Sequence, residues 1–297
     1  MAELGFDGKV AIITGAGGGL GRQHALALAA RGALVVVNDL GGAVDGSGRD
    51  AGTAQLVVDE IKAAGGDAVA DTSSVATPDG GESIVQTAID AFGRVDIVIN
   101  NAGILRDKTF HNMTADLLEP VLAVHLQGAF NVTKPAWVHM REQRSGRVIS
   151  TSSAAGIFGN FGQTNYGAAK MGLVGLTRVL AVEGARYGIQ ANAIAPLAHT
   201  RMTEDILGSM AEQLDPALVT PVVVYLAHES CDASGRVFSV GGGRVAEVFI
   251  GETVGYTDRD LTPETVAEHW STVIDRTGYS VPMNLGEETA LFLGAFT

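Results

Sequence analysis

Apolar residues recur along the chain in two alternating rhythms. Short runs at Val10–Ile13, Leu34–Val37, Val95–Ile99, Arg147–Ser150, Ile189–Ile194 and Arg236–Val240 are rich in β-branched residues and apolar at successive positions. Such runs read as strands buried on both faces, because a strand with one wet face would alternate apolar and polar. Longer stretches with helical spacing separate them, around 20–31, 52–64, 80–92, 115–142, 164–187 and 215–227. This alternation predicts an α/β fold: a doubly wound parallel sheet covered by helices in one domain. The domain is expected to span 1–243, with 244–297 a less periodic C-terminal extension packed on it. Within that extension Thr262-Pro263-Glu264 reads as a cap followed by Pro at the first turn, so a short helix is expected over 263–275. The Gly/Asp-rich segment 40–52 is long for a strand-to-helix connection and is expected to be functional or mobile.

Glycine accounts for 39 of the 297 residues, roughly twice its ~7% background, yet Gly and Pro together fall short of the ~25–30% typical of low-complexity chains. The glycines should therefore mark particular turns. Immediately after the first strand comes Thr14-Gly15-Ala16-Gly17-Gly18-Gly19-Leu20-Gly21. There a tight turn meets the unpaired N–H groups and positive end of a helix, an arrangement suited to a pyrophosphate. Gly15, Gly17, Gly19, Leu20 and Gly21 form the candidate cradle of this Rossmann-type site. Asp39 ends the second strand, 24 residues after Gly15, where a carboxylate can bond ribose hydroxyls and repel a 2′-phosphate. With no Arg or Lys at Gly18, Asn38 or Leu40, the cofactor expected is NAD rather than NADP.

Charge and composition narrow the partners. Hydrophobic residues make up 46% and charged residues 18%, which excludes a disordered chain. A formal charge of −13 argues against nucleic acid or an anionic membrane as main partner. The single Cys231 excludes an internal disulfide, and without an H-E-x-x-H pair no metal site is expected. Cys231 itself reads as a small buried residue. Neither an export signal nor a run of ~18 apolar residues is found, and the end, Ala295-Phe296-Thr297, is not an S-K-L address. A cytoplasmic location is the simplest expectation.

Tyr166 and Lys170 are spaced i, i+4 at the start of a predicted helix, so they share a face. Alone, such a pair is usually a surface feature. Here Ser152 and Ser153 end the preceding strand, and ligands bind at the carboxyl ends of strands in an open α/β sheet. A Tyr hydroxyl can act as a base near neutral pH when a neighbouring ammonium stabilises its phenolate, and a Ser can hold the substrate oxygen.

These residues carry a resemblance. Over 6–243 the chain resembles the short-chain dehydrogenase/reductases, through the T-G-x-x-x-G-x-G of 14–21, Asn100-Asn101-Ala102-Gly103, Ser153, Tyr166-x-x-x-Lys170 and Pro196. The resemblance implies that Ser153, Tyr166 and Lys170 are catalytic. It further implies that Asn101, Ala102 and Gly103 line the adenosine side, and that Ile194, Pro196 and Thr200 border the nicotinamide. Three positions depart from the family pattern. His125 stands where a helix Asn is usual, as a candidate proton relay or a satisfied helix residue. Leu197 follows Pro196 where Gly is usual. The adenine contact falls to Ser73 or Asp71.

Further stretches are similar to the (3R)-hydroxyacyl-CoA dehydrogenase modules of type 2 peroxisomal multifunctional enzymes: 38–42 with the following loop, N-A-G-I-L-R at 101–106, Val124-His125-Leu126, 159–166, 228–231 and 262–264. By implication the chain oxidises a (3R)-3-hydroxyacyl-CoA to the 3-ketoacyl-CoA with NAD, fed by a separate enoyl-CoA hydratase. Arg106 and Lys108 are candidates for CoA phosphates. The alternatives are a hydroxysteroid dehydrogenase acting on a free steroid alcohol and a non-enzymatic NAD-binding protein. Small residues at 167–175 would let long helices approach closely, so a homodimer, alone or within a homotetramer, is expected.

Overall fold

The computed structural model describes residues 3–200 and 213–294. Eight strands form one sheet in the order β3-β2-β1-β4-β5-β6-β7-β8. They are β1 (Val10–Thr14), β2 (Leu34–Asn38), β3 (Asp67–Asp71), β4 (Ile97–Asn100), β5 (Gly146–Thr151), β6 (Ile189–Pro196), β7 (Val237–Gly241) and β8 (Arg244–Val248). Every pairing from β3 across to β7 is parallel, confirming the doubly wound class. The helices that position the site are α1 (Gly19–Ala29), α2 (Gly52–Ala63), α3 (Pro78–Phe92), α4 (Ala115–Leu122), α5 (Gly128–Gln143), α6 (Ala154–Phe158), α7 (Thr164–Gly184) and α8 (Thr220–Ala227).

Side chains on a strand alternate between faces, and β1 shows why its run is apolar throughout. Ala11 and Ile13 pack with Ala25 and Leu28 of α1, Val57 and Ile61 of α2 and Val223 of α8. Val10 and Ile12 face the other way, into Ile84 of α3 and Val132 and Met140 of α5. Each fully buried Ile contributes roughly 1.5–3 kcal/mol from removal of apolar surface from water. The chain winds from β1 outward to β3, then crosses to β4 on the other side of β1. The carboxyl ends of β1 and β4 therefore flank the reversal point of the sheet, where a crevice opens.

Several elements differ from the sequence reading. The stretch 115–142 is helical throughout but not regular: α4 carries Pro120, a wider turn occupies Ala123–Gln127, and α5 continues directly from Gly128. Proline lacks the N–H that would bond the Asp116 carbonyl, which accepts from Arg106 instead, and the i→i+5 turn follows it, with Gly128 N–H bonded to the Ala123 carbonyl. The strand β3 lay below the threshold of pattern because its sequence, Asp-Ala-Val-Ala-Asp, has acids at both ends and only Ala68 and Asp71 fully buried. Past residue 243, β8 adds a further strand to the sheet. Finally, the expected helix over 263–275 is two short pieces, Pro263–Glu268 and Trp270–Val273, of which the first is capped reciprocally by Thr262 and Thr265.

The chain divides into two compact units, one ending at Glu247 and one starting at Val248. The second unit is held by backbone pairing of Glu252 with Ser280 and by stacked rings, Tyr256 on His269 and Phe249 on Tyr279. It also contains a helix, Leu285–Gly294, that the sequence pattern did not predict. Among its described residues none is fully buried.

Candidate active site

The glycine turn leaves β1 and is clamped from β4. Thr14 Oγ1 accepts from the backbone N–H groups of Asn101 at 3.0 Å and Ala102 at 3.1 Å. In return the Asn101 amide donates to the carbonyls of Thr14 and Gly15, each at 3.0 Å. The two strand ends thus hold each other in register. A side chain at Gly15 would sit 2.8 Å from Ala102 Cα, and one at Gly21 only 2.2 Å from the Gly15 carbonyl. Only glycine permits this packing.

At the end of β2, Asp39 turns both oxygens inward. Oδ2 accepts from Gly17 N–H at 2.8 Å and Oδ1 from Gly41 N–H at 2.7 Å. The carboxylate therefore joins the glycine turn to the loop 40–51. That loop is folded on itself through Ala43 N–H to Ser47 and Asp50 N–H to Leu40, and is stitched to the next strand end through Leu105 N–H to Val44. Arg106 completes the closure by donating to the carbonyls of Asp45 at 2.9 Å and Asp116 at 2.8 Å. Its guanidinium is thus engaged in building the wall.

Two cavities open at the crevice. The larger, about 410 Å³, is lined by Gly15, Asp39, the loop from Leu40 to Gly46, Ser73, Ala102, Gly103 and Ile104. The smaller, about 170 Å³, is lined by Gly19, Leu20, Asn101, Gly103, His125, Ser153, Tyr166, Lys170, Pro196 and Thr200. Gly103 borders both. The structure therefore gathers nearly every sequence-predicted site residue around two adjoining chambers, with Gly17 and Gly21 packed behind the turn. Asp71 lines neither cavity. Its carboxylate accepts from Asn38 at 2.8 Å, from Ser73 N–H at 2.9 Å and from Thr87 at 2.8 Å, so it braces β2 against β3 and leaves Ser73 facing the larger chamber.

A dinucleotide fits what these residues offer. Helix α1 begins at Gly19 with no side chain capping it, which leaves N–H groups free for an anion. Gly19 has φ +50° and open space ahead of it, with Thr200 3.6 Å from where a Cβ would stand. On one side of that point lies the chamber with an acid, on the other the chamber with Tyr and Lys.

In the smaller chamber, Ser153 caps α6 by accepting from Ala155 N–H at 3.1 Å, and its hydroxyl is also hydrogen-bonded to Tyr166. Ser152 anchors α7 by donating to the Lys170 carbonyl at 2.8 Å. Lys170 is almost wholly buried, and its ammonium donates to the Thr151 carbonyl and stands 5.5 Å from the centre of the Tyr166 ring. Burial lowers Lys170 to about 7 and raises Tyr166 above the ordinary phenol range, the latter shift opposed by the Ser153 hydrogen bond. This is the arrangement of an acid–base pair held ready to take or give a proton.

His125 sits in the wide turn between α4 and α5, 3% exposed. Its Nε2 is 3.0 Å from the Ile104 backbone nitrogen and 2.8 Å from the Ile104 carbonyl, so it accepts from one or donates to the other according to tautomer. The ring meets Tyr166 edge-on, centroids 5.1 Å apart. Nδ1 has no partner among the described residues. Burial, and next the nearby Lys170 charge, hold His125 well below the usual imidazole range, so it is neutral. The sequence names Thr14 within the glycine motif and Ser152 beside Ser153 without revealing the bonds by which they brace the site, and it gives Ile104 no role. Ile104 takes part through its backbone, which sequence does not reveal.

Fold and site together define a dehydrogenase acting on a CH–OH group, of a kind that uses a nicotinamide cofactor. The chain belongs to the short chain dehydrogenase family, whose model matches residues 9–209. It is 52% identical to a putative short-chain type dehydrogenase/reductase of Mycobacterium tuberculosis, over 93% of this chain and 98% of that one. It is 48% identical to the mouse peroxisomal multifunctional enzyme type 2, over 97% of this chain but only 40% of the mouse enzyme. The full-length Drosophila melanogaster structure of that multifunctional enzyme superposes with TM-score 0.83 at 38% identity, covering 98% of this chain and 50% of the fly chain. A hydroxyacyl-CoA dehydrogenase of Mycobacterium tuberculosis is 42% identical over 82% of this chain and 80% of its own length.

Proposed function

We propose that this chain oxidises a (3R)-3-hydroxyacyl-CoA to the 3-ketoacyl-CoA with NAD as acceptor. The observation that carries the chemistry is the buried Lys170 beneath Tyr166, with Ser153 hydrogen-bonded to the same phenol. Gly19, Leu20, Pro196 and Thr200 would hold the nicotinamide end of NAD, which would supply the acceptor for the hydride of the substrate carbon. Tyr166, as phenolate, takes the hydroxyl proton. Ser153 donates to the substrate oxygen and orients it, and protonated Lys170 stabilises the phenolate across a dry, low-dielectric site. Similarity to a hydroxyacyl-CoA dehydrogenase and to a peroxisomal multifunctional enzyme supports an acyl-CoA substrate. The test is NADH formation from pure (3R) and (3S) epimers of a medium-chain 3-hydroxyacyl-CoA, with a free hydroxysteroid in parallel. Turnover confined to (3R) is the expected result, and steroid-only turnover overturns the substrate reading.

NAD preference rests on Asp39, which lines the larger chamber with its carboxylate fixed by two backbone N–H groups. A 2′-phosphate there would meet that charge. Asp39→Ala is expected to raise KM for NAD roughly 10–100-fold, the loss of a charged hydrogen-bonding group, and to narrow the NAD/NADP ratio. Asp39→Asn removes the charge and leaves one acceptor oxygen for the two N–H groups, so the NAD/NADP ratio is its readout: if it keeps the parent's preference, the repulsion argument fails.

Lys108 is the remaining candidate for a CoA phosphate, since Arg106 serves the loop. The outer faces of α5 and α7 leave Phe130, Val138, Val179 and Val182 about half exposed, which supports a two-fold dimer through these helices. Sedimentation as a single chain would overturn that assembly. Among the described residues no helix is long and apolar enough to cross a membrane. The cytoplasmic expectation rests on sequence alone, and the multifunctional relative is by its name peroxisomal.

A further inference from the structure

Two segments beside the catalytic pair carry large apolar side chains into solvent. Phe158 ends α6 and is 72% exposed, Phe161 lies in the following loop at 88%, and Phe110 on the neighbouring segment is 78% exposed. Exposed phenyl groups this complete are costly unless something covers them. The two segments are joined: Lys108 N–H donates to the Gly162 carbonyl at 2.8 Å, Lys108 bridges to Gln163, and Gln163 donates to Asp107 at 2.6 Å. The segment that carries Phe158 and Phe161 is also anchored to the reacting groups. Ser153 caps the helix that Phe158 closes. A side chain at Gly156 in that helix would stand 2.8 Å from Lys170 Cβ, and Phe161 precedes Tyr166 by five residues. Phe158 and Phe161 are thus tied to Ser153 and Tyr166 through α6 and the loop after it, and Phe110 is tied to that loop through the bond from Lys108 to Gly162.

The smaller chamber, about 170 Å³, is below the ~300–1,000 Å³ of sites that enclose a whole organic ligand. It takes the reacting carbons beside a nicotinamide. The rest of an extended substrate must leave it over the rim. We propose that Phe110, Phe158 and Phe161 form the docking surface for the hydrocarbon chain of the substrate and make this enzyme favour long acyl chains. The inference rests on the acyl-CoA reading above and adds to it a chain-length preference with named residues. A hydrocarbon chain suits the patch because the rings supply apolar surface, while the polar groups between them, Gln163, Asn160 and Asp107, are already bonded to one another.

The experiment compares 3-hydroxybutyryl-CoA with 3-hydroxyhexadecanoyl-CoA, each with NAD, in the full chain and in the Phe158→Ser/Phe161→Ser variant. Both residues are exposed, so the variant is expected to fold, and a second variant, Phe110→Ser, tests the other segment. The expected result is a KM for the sixteen-carbon ester raised at least about tenfold, the range given by a few buried methylenes, with KM for the four-carbon ester and both kcat values within twofold of the parent. Equal changes for both esters would show that the CoA arm lies on the patch and overturn the proposal. Unchanged kinetics accompanied by loss of the parent's oligomeric state would assign the patch to a second copy of the chain and likewise overturn it. Parent turnover of the four-carbon ester is the internal control. If the parent oxidises neither ester, the acyl-CoA reading itself fails and this inference with it, whereas loss of the chain-length effect alone sinks only the inference.

Discussion

Tyr166→Phe is expected to lower kcat by roughly 10²–10⁴-fold, the usual contribution of a positioned acid–base group, while NADH binding stays within a few-fold of the parent. The substitution removes one oxygen and keeps the ring that meets His125 edge-on at 5.1 Å, so the melting temperature should barely move. What is lost is the acceptor for the hydroxyl proton. The parent should show a rate of alcohol oxidation that rises with pH, because the base works ionised and burial holds Tyr166 above the ordinary phenol range. Lys170 bears on the same limb. Burial has drawn it to about 7, so both groups lean toward their neutral forms. Ionising Tyr166 is the cost that a charged Lys170 and an oxidised nicotinamide offset. Residual Tyr166→Phe activity should lack the ascending limb. Activity within tenfold of the parent would remove Tyr166 from the role of base.

The second large effect is expected at Gly103. A Cβ there would stand 2.3 Å from His125 Cε1 and 3.0 Å from Nδ1, and the imidazole cannot retreat because it is buried and held on the Ile104 backbone. Gly103→Ala must therefore push the 102–104 backbone, which borders both chambers. KM for NAD is expected to rise about tenfold or more and kcat to fall, with a destabilisation of about 1–3 kcal/mol from overpacking. Removing the obstacle should rescue it. In the His125→Ala background the alanine at 103 finds space, so the double variant should outperform the sum of the two single effects by a coupling energy of about 1–3 kcal/mol. Strict additivity would mean that the contact is not what demands glycine at 103. The His125→Ala single variant also reports on proton relay: a shifted pH profile would support a relay, whereas an unchanged profile with a raised KM for NAD would make His125 a positioning residue for the neck between the chambers.

Much of this protein is written in local pattern. Strands such as β1 are apolar on both faces because helices cover both sides, and that requirement shows directly in Val10 to Ile13. The glycine turn, the acid closing β2 and the Ser, Tyr and Lys around the β5–α7 connection are also legible, because backbone proximity and i, i+4 spacing constrain residue type over short distances. Elements whose residues answer to distant partners were not. The strand β3 exists because β2 supplies its ladder, and its own acidic ends conceal it. The wide turn inside 115–142 leaves no mark in the apolar pattern, and only the folded chain makes it a buried seat for His125.

Tertiary structure alone decided how the candidate groups are used. Arg106 reads in sequence as a free cation for phosphate, but two backbone carbonyls 61 and 10 residues away claim its guanidinium. Asp71 and Ser73 are equivalent adenine candidates along the chain, and in the fold Asp71 is buried in a network with Asn38, Thr87 and Ser73 itself, of which Ser73 and Asn38 also line the chamber. Residue type and short-range spacing thus determined the fold class and the chemical inventory of the site. Which polar groups remain unspent for cofactor and substrate is set by long-range hydrogen bonding, since a buried donor or acceptor must find a partner wherever the fold brings one within reach.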